Sequence, residues 1–212
     1  KGHTQIVVPF KTENYGATRD PPEASIPVCT LKNFPNQIEH TLQWARDWFE
    51  GEFKQTPSDC NMYLKSHDFQ NTIAQQQNMK LDILNHVKAG LLDDKPSEFR
   101  DCVVWARNVF EDLFTNKVKQ LIHSFPLDSV TSSGVPFWSG TKRPPTPLLF
   151  DQKDPLHMEF IQAVSNVRAS CYALPPCWEE EYYHAVLTTI AVPTFIPSST
   201  AKIATTEEEA KA

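Results

Sequence analysis

Glycine is scarce in this chain, with 6 glycines among 212 residues against 17 prolines. The sequence contains neither G-x-G-x-x-G nor G-x-x-x-x-G-K-[ST], the glycine-rich patterns whose backbone N–H groups cradle nucleotide phosphates. It also lacks G-x-S-x-G, the nucleophile turn of the acyl hydrolases. The chain therefore has no recognisable nucleotide loop, and an acyl-hydrolase function has no motif to support it.

Positive charge and long apolar runs are missing as well. Lys and Arg number 20 against 26 Asp and Glu, a net charge of −6, so no basic face for nucleic acid is indicated. No apolar run approaches the ~20 residues that cross a bilayer, and the first residues, KGHTQ, lack the apolar part of a signal peptide. We expect a soluble, intracellular protein without nucleic-acid or membrane partners. Its start at Lys1 and its polar end indicate a piece of a longer chain.

The five cysteines and seven histidines show no C-x-x-C or H-E-x-x-H spacing, so no metal site is indicated. Cys102 falls on the apolar side of a helical pattern and is expected to be buried. Cys29 differs, because it ends a proline-stiffened segment shortly before Pro35, a residue type that suits the first position of a helix. If this segment folds back towards the start of that helix and Lys32, their positive charge would favour the thiolate form of an exposed Cys29.

The residue pattern predicts a mainly α protein with little β structure. A β-branched run at 5–10 predicts a short strand, and the prolines of 11–27 predict an extended tether. A first helix is predicted to start at Pro35, with an apolar face of Ile38, Leu42, Ala45, Phe49 and Phe53, and one or two helices fill 68–91 with a boundary near 75–78. A long helix is predicted over 99–122, with Ser97 as its cap and a kink near Thr115. Two further helices are predicted, one that starts at Pro155 with Asp154 as its cap and one over about 179–191. Residues 126–155 are predicted to be a loop that wraps the surface on anchored aromatic residues or binds a partner.

The run from Cys29 to Asn36, CTLKNFPN, and its continuation QIEHTLQWARD resemble the active-site segment of eukaryotic ubiquitin-activating enzymes. The preceding Pro9-Phe10, Thr12-Glu13, Tyr15 and DPPE at 20–23 are similar to the crossover loop of the same enzymes. Further matching blocks are LIHSFP at 121–126, TSSG at 131–134, PFWSG at 136–140, Lys142-Arg143, Pro147-Leu148, Phe150-Asp151 and Pro155-Leu156-His157. The resemblance is colinear over nearly the whole chain and departs mainly at about 55–95 and 175–212.

This resemblance implies a fragment with three parts: 1–28, a strand end and the crossover loop; 29–195, a helical second catalytic-cysteine half-domain; and 196–212, an exit linker. Cys29 corresponds to the cysteine that takes ubiquitin from its adenylate as a thioester and passes it to a ubiquitin-conjugating enzyme. Thr30 and Lys32 flank it, where a hydroxyl and a cation could steady the carbonyl and the adenylate.

The resemblance also implies what surrounds the chain. Mg-ATP would bind to adenylation domains elsewhere in the full-length enzyme, so no cofactor is expected in this fragment. Ubiquitin, conjugating enzymes and those adenylation domains are the expected partners, in the cytoplasm and the nucleus. Two other functions stay open: a helical protein-interaction module in which Cys29 is incidental, and a stand-alone cysteine hydrolase.

Overall fold

The computed structural model describes residues 4–14, 16–17, 26–76, 79–206 and 208–209. Helices dominate these ranges, and their one β contact is an isolated bridge between Val130 and Pro136, so the prediction of a mainly α fold is confirmed. The α-helices are α1 Val28–Asn33, α2 Ile38–Glu50, α3 Thr56–Lys65, α4 Phe69–Ala74, α5 Lys80–Lys88, α6 Phe99–Phe110, α7 Lys117–Ser124, α8 Pro155–Cys171 and α9 Glu180–Leu187. No helix in the described part is long and apolar enough to span a membrane.

Three π-helical turns continue these helices into longer rods. Gly51–Gln55 joins α2 to α3, Ala89–Asp93 extends α5, and Glu111–Asn116 joins α6 to α7. The last turn contains the position at which the sequence predicts a kink. The π turn Gly51–Gln55 ends just before Pro57, which has no N–H to donate to a regular α-helical hydrogen bond. The wider π turn accommodates this proline, which would otherwise break the helix. The sequence pattern gave no apolar periodicity from which α3 could be predicted.

The helix starts follow local capping chemistry. Asp154 accepts a hydrogen bond from the Leu156 N–H at 2.9 Å and Pro155 occupies the first turn of α8, as predicted. The prediction of Ser97 as the cap of α6 is wrong. Glu98 is the cap residue and forms a reciprocal capping box with Asp101, whose carboxylate also accepts the Ser97 N–H at 2.8 Å.

The core lies where α6 packs along α8 and against α9. Its buried members are Val103, Ala106, Phe110, Met158, Ile161, Val164, Tyr183, Val186 and Leu187. Helix α2 meets this core through Trp48, and Trp44 lies against Phe114. The predicted apolar face of α2 is therefore wrong in part, since Ile38 and Leu42 are 66% and 63% exposed.

The long segment between α7 and α8 contains no helix and is fastened to the helical body, as predicted. Leu148 donates its N–H to the Phe114 carbonyl at 2.9 Å and its carbonyl accepts the Thr115 hydroxyl at 2.6 Å. These bonds join the loop to the π turn of 111–116. They hold the loop across the surface of the helical body.

The strand predicted at 5–10 is not formed. Residues 4–8 have no strand partner in the described part, and the chain turns at 9–12, where Val8 accepts the N–H groups of Lys11 and Thr12. A strand needs a neighbour for its backbone hydrogen bonds, so an apolar run without one does not become a strand. Residues 15 and 18–25, which include part of the predicted crossover loop, lie outside the described residues.

Candidate functional site

Cys29 is the second residue of the short helix α1 and is only 8% exposed. The sequence predicts an exposed cysteine in a loop before a helix that begins at Pro35. Both parts of this prediction are wrong, because Cys29 is buried and lies inside a helix of its own. Helix α1 has Pro27 as its cap residue and ends at Asn33, because Phe34 precedes a proline and is restricted away from helical geometry. Helix α2 then starts at Ile38.

The C-terminal end of α1 is held by an aromatic clamp, which we define as Phe34, Phe125, Phe137 and Trp138. Phe34 is buried, and its ring centroid lies 5.8 to 6.1 Å from those of the other three. Phe125 and Phe137 stack at 4.3 Å, and the Trp138 indole N–H donates to the Phe125 carbonyl at 3.0 Å. Such pairs stabilise by about 0.5 to 1.5 kcal/mol beyond their buried area. The clamp therefore fixes the helix that carries Cys29.

One cation joins the aromatic clamp. Lys142 Nζ lies 4.6 Å from the ring centroid of Phe137 and 5.0 Å from that of Phe34. At these distances the ammonium is attracted to the ring faces. The Lys142-Arg143 doublet of the sequence thus includes one residue that packs beside the site.

An open recess of about 830 Å³ lies beside Cys29. Its two walls come from opposite ends of the chain: Val28, Cys29, Lys32 and Asn33 on α1, and Lys202, Ile203, Ala204 and Glu209. We call residues 202–206 the closing segment. Asn33 Nδ2 donates to the Ala204 carbonyl at 3.1 Å, so the closing segment is hydrogen-bonded to the helix of Cys29. The segment thus lies on the opposite wall of the recess from Cys29, which is buried.

Glu209 is hydrogen-bonded to Thr205 of the closing segment. Its carboxylate accepts the Thr205 backbone N–H at 2.7 Å and the Thr205 hydroxyl at 2.9 Å. These hydrogen bonds lower the pKa of Glu209, the backbone N–H contributing most. The carboxylate thereby stays ionised at the edge of the recess.

The two predicted supporting residues differ in position. Lys32 is an exposed residue in the last turn of α1 and lines the recess with Cys29. Thr30 is half-buried, is not part of the recess wall, and its carbonyl accepts the Phe34 N–H at 3.2 Å. Lys32 is thus placed to act on an anion beside Cys29. The roles of both residues stay predictions.

The other cysteines lie in different surroundings. All five thiols are free. Cys102 is completely buried, as predicted, and desolvation raises the pKa of its thiol to about 11. Cys171 is exposed at the end of α8, yet desolvation of its sulfur raises its pKa also. Within the described ranges, no group of three His, Cys, Asp or Glu side chains is arranged to hold a metal ion.

No sequence pattern indicates the closing segment or the aromatic clamp. Both join residues that lie far apart along the chain, such as Asn33 and Ala204, 171 positions apart. The polar composition of 196–212 suggests only a linker. A pairing of this kind is created by tertiary packing and leaves no local periodicity.

Comparison with known proteins places the chain among its relatives. The sequence profile described as "Ubiquitin-activating enzyme, SCCH domain" matches residues 35–212, and so begins six residues after Cys29. The chain is 49% identical over 210 residues to "Ubiquitin-like modifier-activating enzyme 1" of Dictyostelium discoideum, and 45% identical over 210 residues to the Homo sapiens protein of the same name. It is 47% identical over 209 residues to "Ubiquitin-activating enzyme E1 1" of Schizosaccharomyces pombe. Each match covers 99% of this chain and 20 to 21% of the relative, so the chain spans about a fifth of their length.

Proposed function

The chain belongs to the SCCH-domain family of ubiquitin-activating enzymes, and on that premise we propose that Cys29 takes ubiquitin as a thioester and passes it to the cysteine of a ubiquitin-conjugating enzyme. The observation that carries the proposal is the position of Cys29 on the wall of an open recess, with Lys32 beside it. Matches over 99% of the chain to proteins named as ubiquitin-activating enzymes support it further.

The first reaction joins the Cys29 sulfur to the C-terminal carboxyl carbon of ubiquitin. The thiolate attacks the carbonyl of the ubiquitin adenylate, an S–C bond forms, and the bond to the phosphate oxygen breaks. AMP leaves with the electron pair as a stable anion, so no acid is needed to protonate it. The thiol proton passes to solvent before attack. In the second reaction the thiolate of the conjugating enzyme attacks the same carbonyl and Cys29 leaves as a thiolate.

Lys32 would act on the charge that develops in these steps. Its ammonium lines the same recess as the sulfur and can attract the adenylate phosphate or the thiolate. The adenylate itself would be made from ubiquitin and Mg-ATP by adenylation domains outside this chain, consistent with the absence of a glycine-rich phosphate loop in the sequence. Location in the cytoplasm and nucleus stays a prediction.

Both reactions require the closing segment to move. Cys29 is only 8% exposed, and residues 202–204 share the recess wall with it, so a carbonyl carried by a protein the size of ubiquitin has little room to reach the sulfur. Displacement of the segment breaks the Asn33 to Ala204 hydrogen bond and widens the recess. Opening of the segment therefore precedes acyl transfer.

The site of attachment tests the proposal directly. In the full-length enzyme incubated with ubiquitin and Mg-ATP, we expect a thiol-sensitive ubiquitin adduct on the peptide that contains Cys29. Mass spectrometry after digestion at low pH, with and without reducing agent, locates the adduct. An adduct on Cys60, Cys102, Cys171 or Cys177 in its place would contradict the assignment.

Substitution of Asn33 tests the closing segment. Asn33→Ala removes the hydrogen bond to Ala204, and the loss of one bond worth ~1 kcal/mol should raise the open population, and with it the alkylation rate of Cys29, about fivefold. The rate is measured with iodoacetamide by mass spectrometry, with Cys102 as the buried reference. Asn108→Ala, at an exposed position of α6, is the matched control and should leave the rate unchanged. An unchanged rate in Asn33→Ala would show that the segment does not limit access.

A further inference from the structure

A separate cavity of about 260 Å³ lies between the first π turn, α3, the second π turn and the end of α8. Its apolar walls include Phe53, Leu64 and Leu91. Small-molecule pockets commonly measure about 300 to 1,000 Å³, and a cavity of about 150 Å³ suffices for benzene. This cavity has room for a ligand with a single small ring.

Arg168 supplies the cavity with a buried cation. The residue is 7% exposed, its guanidinium stacks over the Trp105 ring at 3.9 Å, and Nη2 donates to the Asp94 carbonyl. Its Nε–H has no hydrogen-bond partner among the described residues, and none of their carboxylates lies within ion-pair distance of it. Leaving a buried donor of a charged group unsatisfied is costly. Nε has no accessible surface, so a ligand in the cavity would pair with the guanidinium charge and not bond to Nε itself.

The remaining polar groups of the wall include one carboxyl group, Glu52. Burial raises the pKa of Glu52, although Arg168 opposes this shift. Burial also raises the pKa of the thiols of Cys60 and Cys171 and of the Tyr172 phenol, which keeps them neutral. Lys95 adds an exposed cation to the wall. The wall thus has two cationic residues, Arg168 and Lys95, against the one carboxyl group of Glu52, and this balance favours a monoanion over a cation or a phosphate dianion.

We propose that this cavity binds a small monocarboxylate with an apolar body, the carboxylate accepting hydrogen bonds from Arg168 and the apolar body contacting Phe53, Leu64 and Leu91. Arginine presents parallel N–H donors that match the two carboxylate oxygens. The apolar walls exclude water around the pair and strengthen it. The site is independent of Cys29, because the two recesses share no wall residue.

Benzoate is the probe, and neutral benzamide of nearly the same shape is its matched comparison. In the 212-residue chain, titration with benzoate should give a saturable downfield shift of the Arg168 Nε–H signal in ¹H–¹⁵N spectra, with a dissociation constant in the millimolar range typical of a fragment. Benzamide should bind at least about tenfold more weakly, because it lacks the charge that pairs with the guanidinium. Equal affinity for the two compounds, or no saturation with benzoate, would overturn the proposal.

Two variants locate the site. Leu64→Trp fills the mouth from a largely exposed position and should abolish benzoate binding while the fold is kept. Arg168→Gln should weaken benzoate binding about tenfold or more, while Arg46→Gln on the exposed side of α2 should not. Full benzoate affinity in Leu64→Trp would overturn the proposal even if Arg168→Gln fails to fold.

Discussion

Replacement of Cys29 by alanine in the full-length enzyme is expected to abolish the ubiquitin thioester while ubiquitin-dependent exchange of pyrophosphate into ATP continues. The first result follows because no other thiol lines the recess of α1. The second follows because adenylation does not use the sulfur. The two readouts are a non-reducing gel for the thioester and a radiolabel assay for the exchange.

Controls separate a catalytic from a structural effect of this substitution. Cys171→Ala removes an exposed thiol and should leave both readouts unchanged. Cys29 is buried, so Cys29→Ala should cost about 1 kcal/mol of the free energy of unfolding, a typical value for a point mutant and more than an exposed cysteine would show. A thioester that survives in Cys29→Ala would refute the assigned nucleophile, and a loss of the exchange activity as well would indicate a structural role.

Phe110→Ala should produce the largest loss of stability in the described part of the chain. Phe110 is 2% exposed, and its ring centroid lies 5.1 Å from those of Phe114 and Phe150, 4.8 Å from that of His157 and 5.8 Å from that of Phe160. Truncation leaves a cavity that this cluster cannot refill, and such changes cost about 3 to 5 kcal/mol. Since whole domains have about 5 to 15 kcal/mol of stability, the variant is expected to be near the limit of folding.

Urea denaturation followed by circular dichroism measures this loss. Phe10→Ala is the matched control: its side chain is fully exposed, and the change should stay within about 0.5 kcal/mol. A loss below about 1 kcal/mol for Phe110→Ala would mean that the contact of α6 with α8 does not form the core of the fold.

Local chemistry explains which helices the sequence could predict. Asp154 and Pro155 define the start of α8 from neighbouring residues alone, and Pro35 correctly separates two segments even though the helix after it begins three residues later. The errors arise where tertiary contacts decide. Helix α2 turns Trp44 and Trp48 inward, and so its regular aliphatic face of Ile38 and Leu42 stays exposed, which the spacing alone does not reveal.

The candidate site shows the same division. The run around Cys29 resembles the active-site segment of ubiquitin-activating enzymes, and this resemblance, which depends on residue identity at neighbouring positions, predicts a nucleophile that receives an acyl group. The surroundings of Cys29 could not be read from this run, because Ala204 bonds to Asn33 of the same helix, and Phe125 and Trp138 of the aromatic clamp pack against Phe34. A local pattern contains no information about which distant segment packs on it.

The sequence by itself determined that this chain is helical, is poor in glycine, has no recognisable phosphate-loop motif and contains one cysteine in a distinctive sequence context. Those properties follow from propensity, capping and side-chain chemistry, which act over a few residues. Only the tertiary structure decided that Cys29 lies in a helix that shares a recess with the closing segment, and that Arg168 is buried at a cavity with no described carboxylate within ion-pair distance. Exposure and pairing depend on contacts between remote segments, and these contacts exist only once the chain has folded.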